Sequence, residues 1–177
     1  MKTPDTEVLA LIESAVQEHG LPYQRHDADG RRGIVVTLAG ERRHSITTLL
    51  AVGAHGVRIE AFVCRRPDEN FEGVYRHLLR RNRRLYGVAY TLDDAGDIYL
   101  VGRLALEAVS VDEVDRILGQ VLEAVDFDFN VLLEMGFRSS IQKEWAWRLA
   151  RGESVKNLQA FEHLRPAEPT TGGPAHA

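Results

Sequence analysis

Phe71-Glu-Gly-Val-Tyr-Arg-His-Leu-Leu-Arg-Arg-Asn-Arg-Arg-Leu-Tyr-Gly87 reads as one helix and its stop. Phe71, Val74, Tyr75, Leu78, Asn82 and Leu85 lie along one stripe, the pattern of a helix that packs one face on a sheet. The same helix carries five arginines: Arg76, Arg80, Arg81, Arg83 and Arg84. Gly87 suits the left-handed position after a helix, where a side chain would be strained. Strand-like text precedes this segment and helical text follows it. The helix therefore belongs between two halves of one core.

Upstream, Ile34 to Leu38 is a β-branched run, and Ile46, Thr48, Leu50 and Val52 alternate on one face of the next. Val57, Ile59, Ala61 and Val63 do the same after the turn Gly53-Ala-His-Gly56. Short glycine-containing turns join these runs into an antiparallel meander of three or four strands. Tyr23 to Asp27 is left open as a short edge strand before the turn signal Asp29-Gly30. The chain begins with a helix, Thr3 as cap, Pro4 first, and Val8, Leu11, Ile12, Ala15 and Val16 at helical spacing. Asp68 or Asn70 caps the arginine helix.

Downstream, Val88 to Leu92 and Ile98 to Leu104 pair across Asp93-Asp-Ala-Gly96. Ser110-Val-Asp-Glu113 is a capping box, with serine and glutamate each satisfying a backbone N–H. Val111, Val114, Leu118, Val121 and Val125 then repeat at helical spacing, with Ile117 and Leu122 widening the face. The text leaves room for a pause near Asp126 to Asn130, meets Gly136, and forms a last helix from about Ser140 to Arg151. The fold expected is α+β: an antiparallel five-stranded sheet with helices packed on it, in the order α-β-β-β-α-β-β-α-α. Residues 1–152 form the domain and 153–177 a tail that is partly disordered, since Arg165 to Ala177 is rich in proline and glycine. Leu158, Phe161 and Leu164 are the part of the tail able to dock.

The chain of 177 residues, 44% hydrophobic and 27% charged, suits one domain with a real core. Its net charge of -4 and pI near 6.0 argue against a general nucleic-acid binder. One cysteine, Cys64, makes no disulfide framework, and the apolar run Val8 to Ile12 is too short for a signal or a membrane span. The expectation is cytoplasmic, without nucleic acid or membrane as partner. The seven histidines show no metal-ligand spacing, and no nucleophile elbow, phosphate loop or dinucleotide fingerprint is present. No catalytic residue, metal or cofactor is expected. Cys64 beside Arg65 and Arg66 is either a reactive thiol or a structural one.

Two readings of Arg76, Arg80, Arg81, Arg83 and Arg84 stand side by side. They form a solvated face with carboxylate neighbours, or a site for an anion or an acidic partner. Glu107 to Glu134 holds eight carboxylates against Arg116 alone, so a basic and an acidic helix can pair in cis or across a dimer. Trp145 and Trp147, two apart, cannot share a helix face, so one goes inside and the other is an interface candidate. Phe127 and Phe129 are either presented on a loop at an interface or inserted in the core.

Several stretches together resemble one family. They are Leu38-Ala-Gly-Glu-Arg-Arg43, Arg65-Arg-Pro-Asp-Glu-Asn70, Val74 to Gly87, Gly96-Asp-Ile-Tyr-Leu-Val-Gly-Arg103 and Ser140-Ile-Gln-Lys-Glu-Trp-Ala-Trp147. They are similar to the YbjN family, in its actinobacterial branch, over roughly Asp5 to Arg151. The resemblance implies a type III secretion chaperone-like fold and a role in sensory transduction or stress response. It supplies no catalytic residues. It also implies a homodimer that holds an unknown protein client. The function expected is a non-catalytic protein-binding or regulatory module. The alternative is a small-anion sensor, for a phosphate-type ligand, or an enzyme using the arginine helix, residues 71–86.

Overall fold

The computed structural model describes residues 4–28 and 31–167 of the chain. The cap at Thr3, the turn at Asp29-Gly30 and residues 168–177 of the tail lie outside the described residues. The elements are α1 (Pro4–Glu18), β1 (Tyr23–Ala28), β2 (Arg31–Leu38), β3 (Ile46–Gly53), β4 (Gly56–Cys64), α2 (Phe71–Asn82), β5 (Val88–Leu92), β6 (Ile98–Leu104) and α3 (Val111–Arg151). Short 3-10 segments, Leu106–Ala108 and Lys156–Leu164, flank α3.

The strands form one antiparallel sheet in the order β1-β2-β3-β4-β6-β5. It has six strands, not the five expected, because β1 pairs with β2 along its whole length, from Tyr23 opposite Val36 to Ala28 opposite Arg31. Gln24, Arg25, His26 and Asp27 carry no apolar alternation, so only tertiary structure identifies β1 as a strand. Polar residues on an edge strand also discourage further pairing. Arg25 fastens it, donating Nε and Nη2 to the Glu13 carboxylate of α1 at 2.6 and 2.8 Å.

One face of the sheet carries the core. Ile34, Val36, Ile46, Leu50, Ile59, Ala61, Ile98 and Leu100 point into it and are almost wholly buried. α1 packs on β2, β3 and α3, while α3 crosses β4 and β5 and α2 lies against β5 and α3. Gly102 in β6 is needed where the backbone closes in, since a Cβ there would stand 2.2 Å from the Gly87 carbonyl oxygen. The arginine helix is shorter than the 71–86 expected: α2 ends at Asn82 with Arg83 as its cap, so Gly87, with φ +68°, turns the chain into β5 rather than stopping the helix. The hairpin turn is held by Asp93, whose Oδ1 accepts the Ala95 and Asp97 N–H groups at 3.0 and 2.8 Å.

No pause interrupts α3 at Asp126 to Asn130, which is helical throughout. Aspartates are poor helix formers in isolation, but Asp126 and Asp128 are both engaged by groups outside the helix. The kink falls instead at Phe137 (φ -139°, ψ 21°), next to Gly136. There the Gly136 carbonyl accepts the N–H groups of Asp68 and Glu69 at 2.9 and 3.2 Å. The Ser139 N–H donates to the Glu69 carboxylate at 2.6 Å, so the last helix is capped from the loop before α2. The expected side-chain caps differ accordingly. Asn70 sits at the N-cap of α2 with φ 51°, but its side chain makes no cap bond. Ser110 caps α3 by accepting from the Glu113 N–H at 3.2 Å, while the Glu113 carboxylate accepts from Tyr86 and Arg116 rather than reaching back.

The kink contains a pH-sensitive pair. Hydrogen bonds from Arg65 and Ser140, with the Arg65 charge, hold the Asp68 carboxyl at about 2, below its ordinary 3.8. A carboxyl lowered in the folded state contributes stability above its unfolded pKa and loses it as pH falls through the folded one. The Asp68→Asn variant is therefore expected to show a flatter stability profile than the parent between about pH 4 and pH 2. Urea unfolding at half-unit pH steps checks this. Parallel profiles would show that the pair contributes nothing.

Candidate functional site

The arginine helix presents three different surfaces. Toward the core, α2 buries Val74 and Leu78, while Phe71 of the expected stripe is 37% exposed. Asn82 clamps β5 by donating Nδ2 to the Tyr90 carbonyl at 3.2 Å and accepting the Tyr90 N–H at 2.7 Å. Toward α3, His77 and Arg81 meet one fully buried carboxylate, Asp128. Away from both, Arg80 and, just past the end of α2 at Asn82, Arg83 and Arg84 face solvent.

Asp128 is the centre of the arrangement. Its Oδ1 lies 2.8 Å from His77 Nε2, and its Oδ2 accepts from Arg81 Nε and the Tyr90 hydroxyl, each at 2.7 Å. A carboxylate this deep is tolerable only when paired and hydrogen-bonded on both oxygens, as this one is. Burial and the neighbouring Asp128 charge push the Tyr90 hydroxyl far upward, so it remains a neutral donor. Burial opposes the Arg81 charge, but the Asp128 hydrogen bond and charge outweigh it and hold the guanidinium above its usual range. Arg81 also reaches Glu123 at 3.3 Å and lies 5.0 Å from the Phe127 ring centroid. Basic and acidic helices do pair in cis, through this one arginine.

The remaining arginines divide. Arg76 pairs with Glu72 one turn back. Among the described residues no ion pair is recorded for Arg80, Arg83 or Arg84. Together with His77 and Arg81 they line a half-open cleft of about 410 Å³. A shallow apolar dish adjoins it, lined by Glu72, Tyr75, Arg76, Leu79, Arg80 and Arg83.

Phe127 and Phe129 belong to α3, not to a loop. Phe127 is 51% exposed, and the Arg42 and Arg81 guanidiniums stand over its ring. Phe129 is half-buried beneath Arg43, 4.8 Å from the ring centroid. Asp126 holds the Arg42–Arg43 loop in place, accepting both backbone N–H groups at 2.8 and 2.9 Å. Trp145 is the inner tryptophan and Trp147 the outer one, with Arg151 over its ring at 4.7 Å. The segment Lys156–Leu164 lies on α3 and buries Leu158, Phe161 and Leu164. Cys64 is buried, and loss of solvent pushes its thiol up to about 11 despite Arg43 and Arg65 nearby. That environment suits a structural cysteine rather than a reactive one. Among the described residues no three or more His, Cys, Asp and Glu side chains gather as metal ligands. No helix among them is long and apolar enough to cross a membrane.

Sequence reasoning pointed to the arginines but missed Asp128, His77 and Tyr90. One signal was available: Asp128 stands seven residues after Val121 and four after Ala124, on the face of α3 that the apolar period buries.

The comparisons agree on family and fold. Residues 9–134 match the family model YbjN, described as "Putative bacterial sensory transduction regulator". An uncharacterized protein of Mycobacterium tuberculosis is 65% identical over 161 residues, covering 90% of this chain and 88% of that protein. One of Mycobacterium leprae is 62% identical over 157 residues, with 88% and 85% covered. Among solved structures, a chain of the ExsC–ExsE complex superposes with a TM-score of 0.52 at 21% identity, covering 72% of this chain and 95% of that one. The fold is the type III secretion chaperone-like one that the sequence resemblance implied.

Proposed function

We propose, because the chain belongs to the YbjN family, that it is a non-catalytic protein-binding or regulatory module. In this reading it is a cytoplasmic homodimer that holds a client polypeptide in sensory transduction or stress response. Residues 1–152 are the working domain and 153–177 an appended tail. One solved structure sharing its fold is a complex of two proteins, which supports this use of the scaffold.

The observation that carries the reading is the free flank of α2. Phe71, Tyr75 and Leu79 follow one another at i, i+4 and i+8, and Leu79 is 67% exposed. α2 lies against β5, the edge strand of the sheet. An apolar strip beside an unpaired strand edge suits association with another chain. The face of α3 offers less to a partner, since Val114, Ile117, Leu118, Val121 and Val125 are buried in the core. Between Val111 and Met135, Phe127 and Val131 are the exposed large apolar side chains.

A dimer through this flank is expected to bury on the order of 1,200–2,000 Å² in total, with charges at its rim, so added salt weakens it only modestly. Light scattering across a concentration series is expected to give twice the 19.9 kDa chain mass at tens of micromolar. Leu79→Glu is expected to return the chain to monomer with its circular dichroism unchanged. A monomer at every concentration, or a dimer indifferent to Leu79→Glu, would overturn this use of α2.

A further inference from the structure

We infer that the cleft lined by His77, Arg80, Arg81, Arg83 and Arg84 is a binding site for a polyphosphate chain, free or carried by a nucleotide. This goes beyond the protein-binding reading and does not depend on it. The first argument is charge balance. Arg80 lies in the last turn of α2, and Arg83 and Arg84 stand at and just past its cap, so three like charges that repel one another are held close together. The carboxylates that pair with this segment are committed elsewhere, Asp128 and Glu123 to Arg81 and Glu72 to Arg76. The C-terminal carbonyls of α2 supply only about half a negative charge. Among the described residues three guanidiniums thus converge without a carboxylate partner, in a chain whose net charge is -4.

The second argument is shape and rigidity. A guanidinium offers a planar fork that matches phosphate oxygens, and several at one cleft suit a ligand with two or more adjacent phosphates. Two walls of the cleft are fixed in advance. Asp128 holds both His77 and Arg81, and Phe127 lies beneath Arg81. A wall already ordered loses less entropy when a ligand arrives. General nucleic-acid binding is a poorer match, because the chain carries a net charge of -4 rather than a basic balance.

Titration calorimetry at 0.15 M salt, with inorganic tripolyphosphate and separately with ATP, tests the site. Both are expected to bind saturably, one per chain, with citrate at least tenfold weaker. Arg80→Ala and Arg84→Ala are each expected to weaken binding about tenfold. Arg76→Ala removes the same charge from the same helix outside this cleft and is expected to change affinity less than twofold. Arg80→Lys and Arg84→Lys keep the charge but not the fork, and each is expected to recover only part of the loss. No saturable binding up to 1 mM of either probe overturns the site. So does equal loss in Arg76→Ala, equal binding of citrate, or binding of ATP without tripolyphosphate. The light-scattering test of the dimer is read independently of these outcomes, so the two readings fail separately.

Discussion

Asp128→Ala is expected to cost about 3–5 kcal/mol of folding stability, the usual consequence of removing one member of a buried charge pair. The carboxylate is fully buried and serves His77, Arg81 and Tyr90 at 2.8, 2.7 and 2.7 Å. Without it Arg81, with its side chain only 17% exposed, keeps a charge beside Phe127 with just the longer contact to Glu123. A domain of ordinary stability has about 5–15 kcal/mol in all, so this loss can leave part of the population unfolded. Asp128→Asn is the milder companion. It retains an acceptor and the shape but removes the charge, and is expected to cost about 1.5–3 kcal/mol. Urea unfolding at neutral pH measures both. A loss below about 1 kcal/mol in Asp128→Ala would mean that Arg81 and His77 find water instead, and the cleft wall would not be rigidly held.

Trp145→Ala is expected to be of similar size, about 3–5 kcal/mol, with a second effect that a simple core truncation would not produce. Trp145 is 2% exposed, and its Nε1 donates to the Phe161 carbonyl at 3.2 Å. Leu158, Phe161 and Leu164 are all buried, and His163 lies 3.0 Å from Glu134 of α3. The tryptophan is thus the seat on which residues 156–164 rest. In the parent chain, limited proteolysis is expected to cut only beyond about Arg165 and leave the fold intact. In Trp145→Ala, new cuts are expected between Glu153 and Leu164 at temperatures below global unfolding. Trp147→Ala, at a side chain 43% exposed, is expected to change stability by less than about 1 kcal/mol and add no cuts. An unchanged cleavage map in Trp145→Ala would show that the segment is held elsewhere.

Local sequence determined much of this protein. Asp93 to Gly96 between two alternating runs, and Ser110 three residues before Glu113, are signals confined to a few neighbours. The period-two rows of β3 and β4 were legible for the same reason, since a strand with one buried face must alternate. The quoted stretches also sufficed to indicate the family and its fold.

Only tertiary structure decided the rest, and the physical reason is sequence distance. His77 and Arg81 meet Asp128 across 51 and 47 residues, and Tyr90 meets it across 38, so no local window contains the site. The same distance made Asp126 to Asn130 look like a pause, because the partners that compensate two aspartates in a helix come from other elements. β1 was uncertain because its polar residues acquire strand structure from β2 and an anchor from Glu13 rather than from their own pattern. Trp145 and Trp147 have nearly the same neighbours in sequence, and the returning segment at Phe161 determines which one is buried. Among the five arginines, composition could count the charge, but only packing shows that Arg76 and Arg81 are neutralised while Arg80, Arg83 and Arg84 converge on open space.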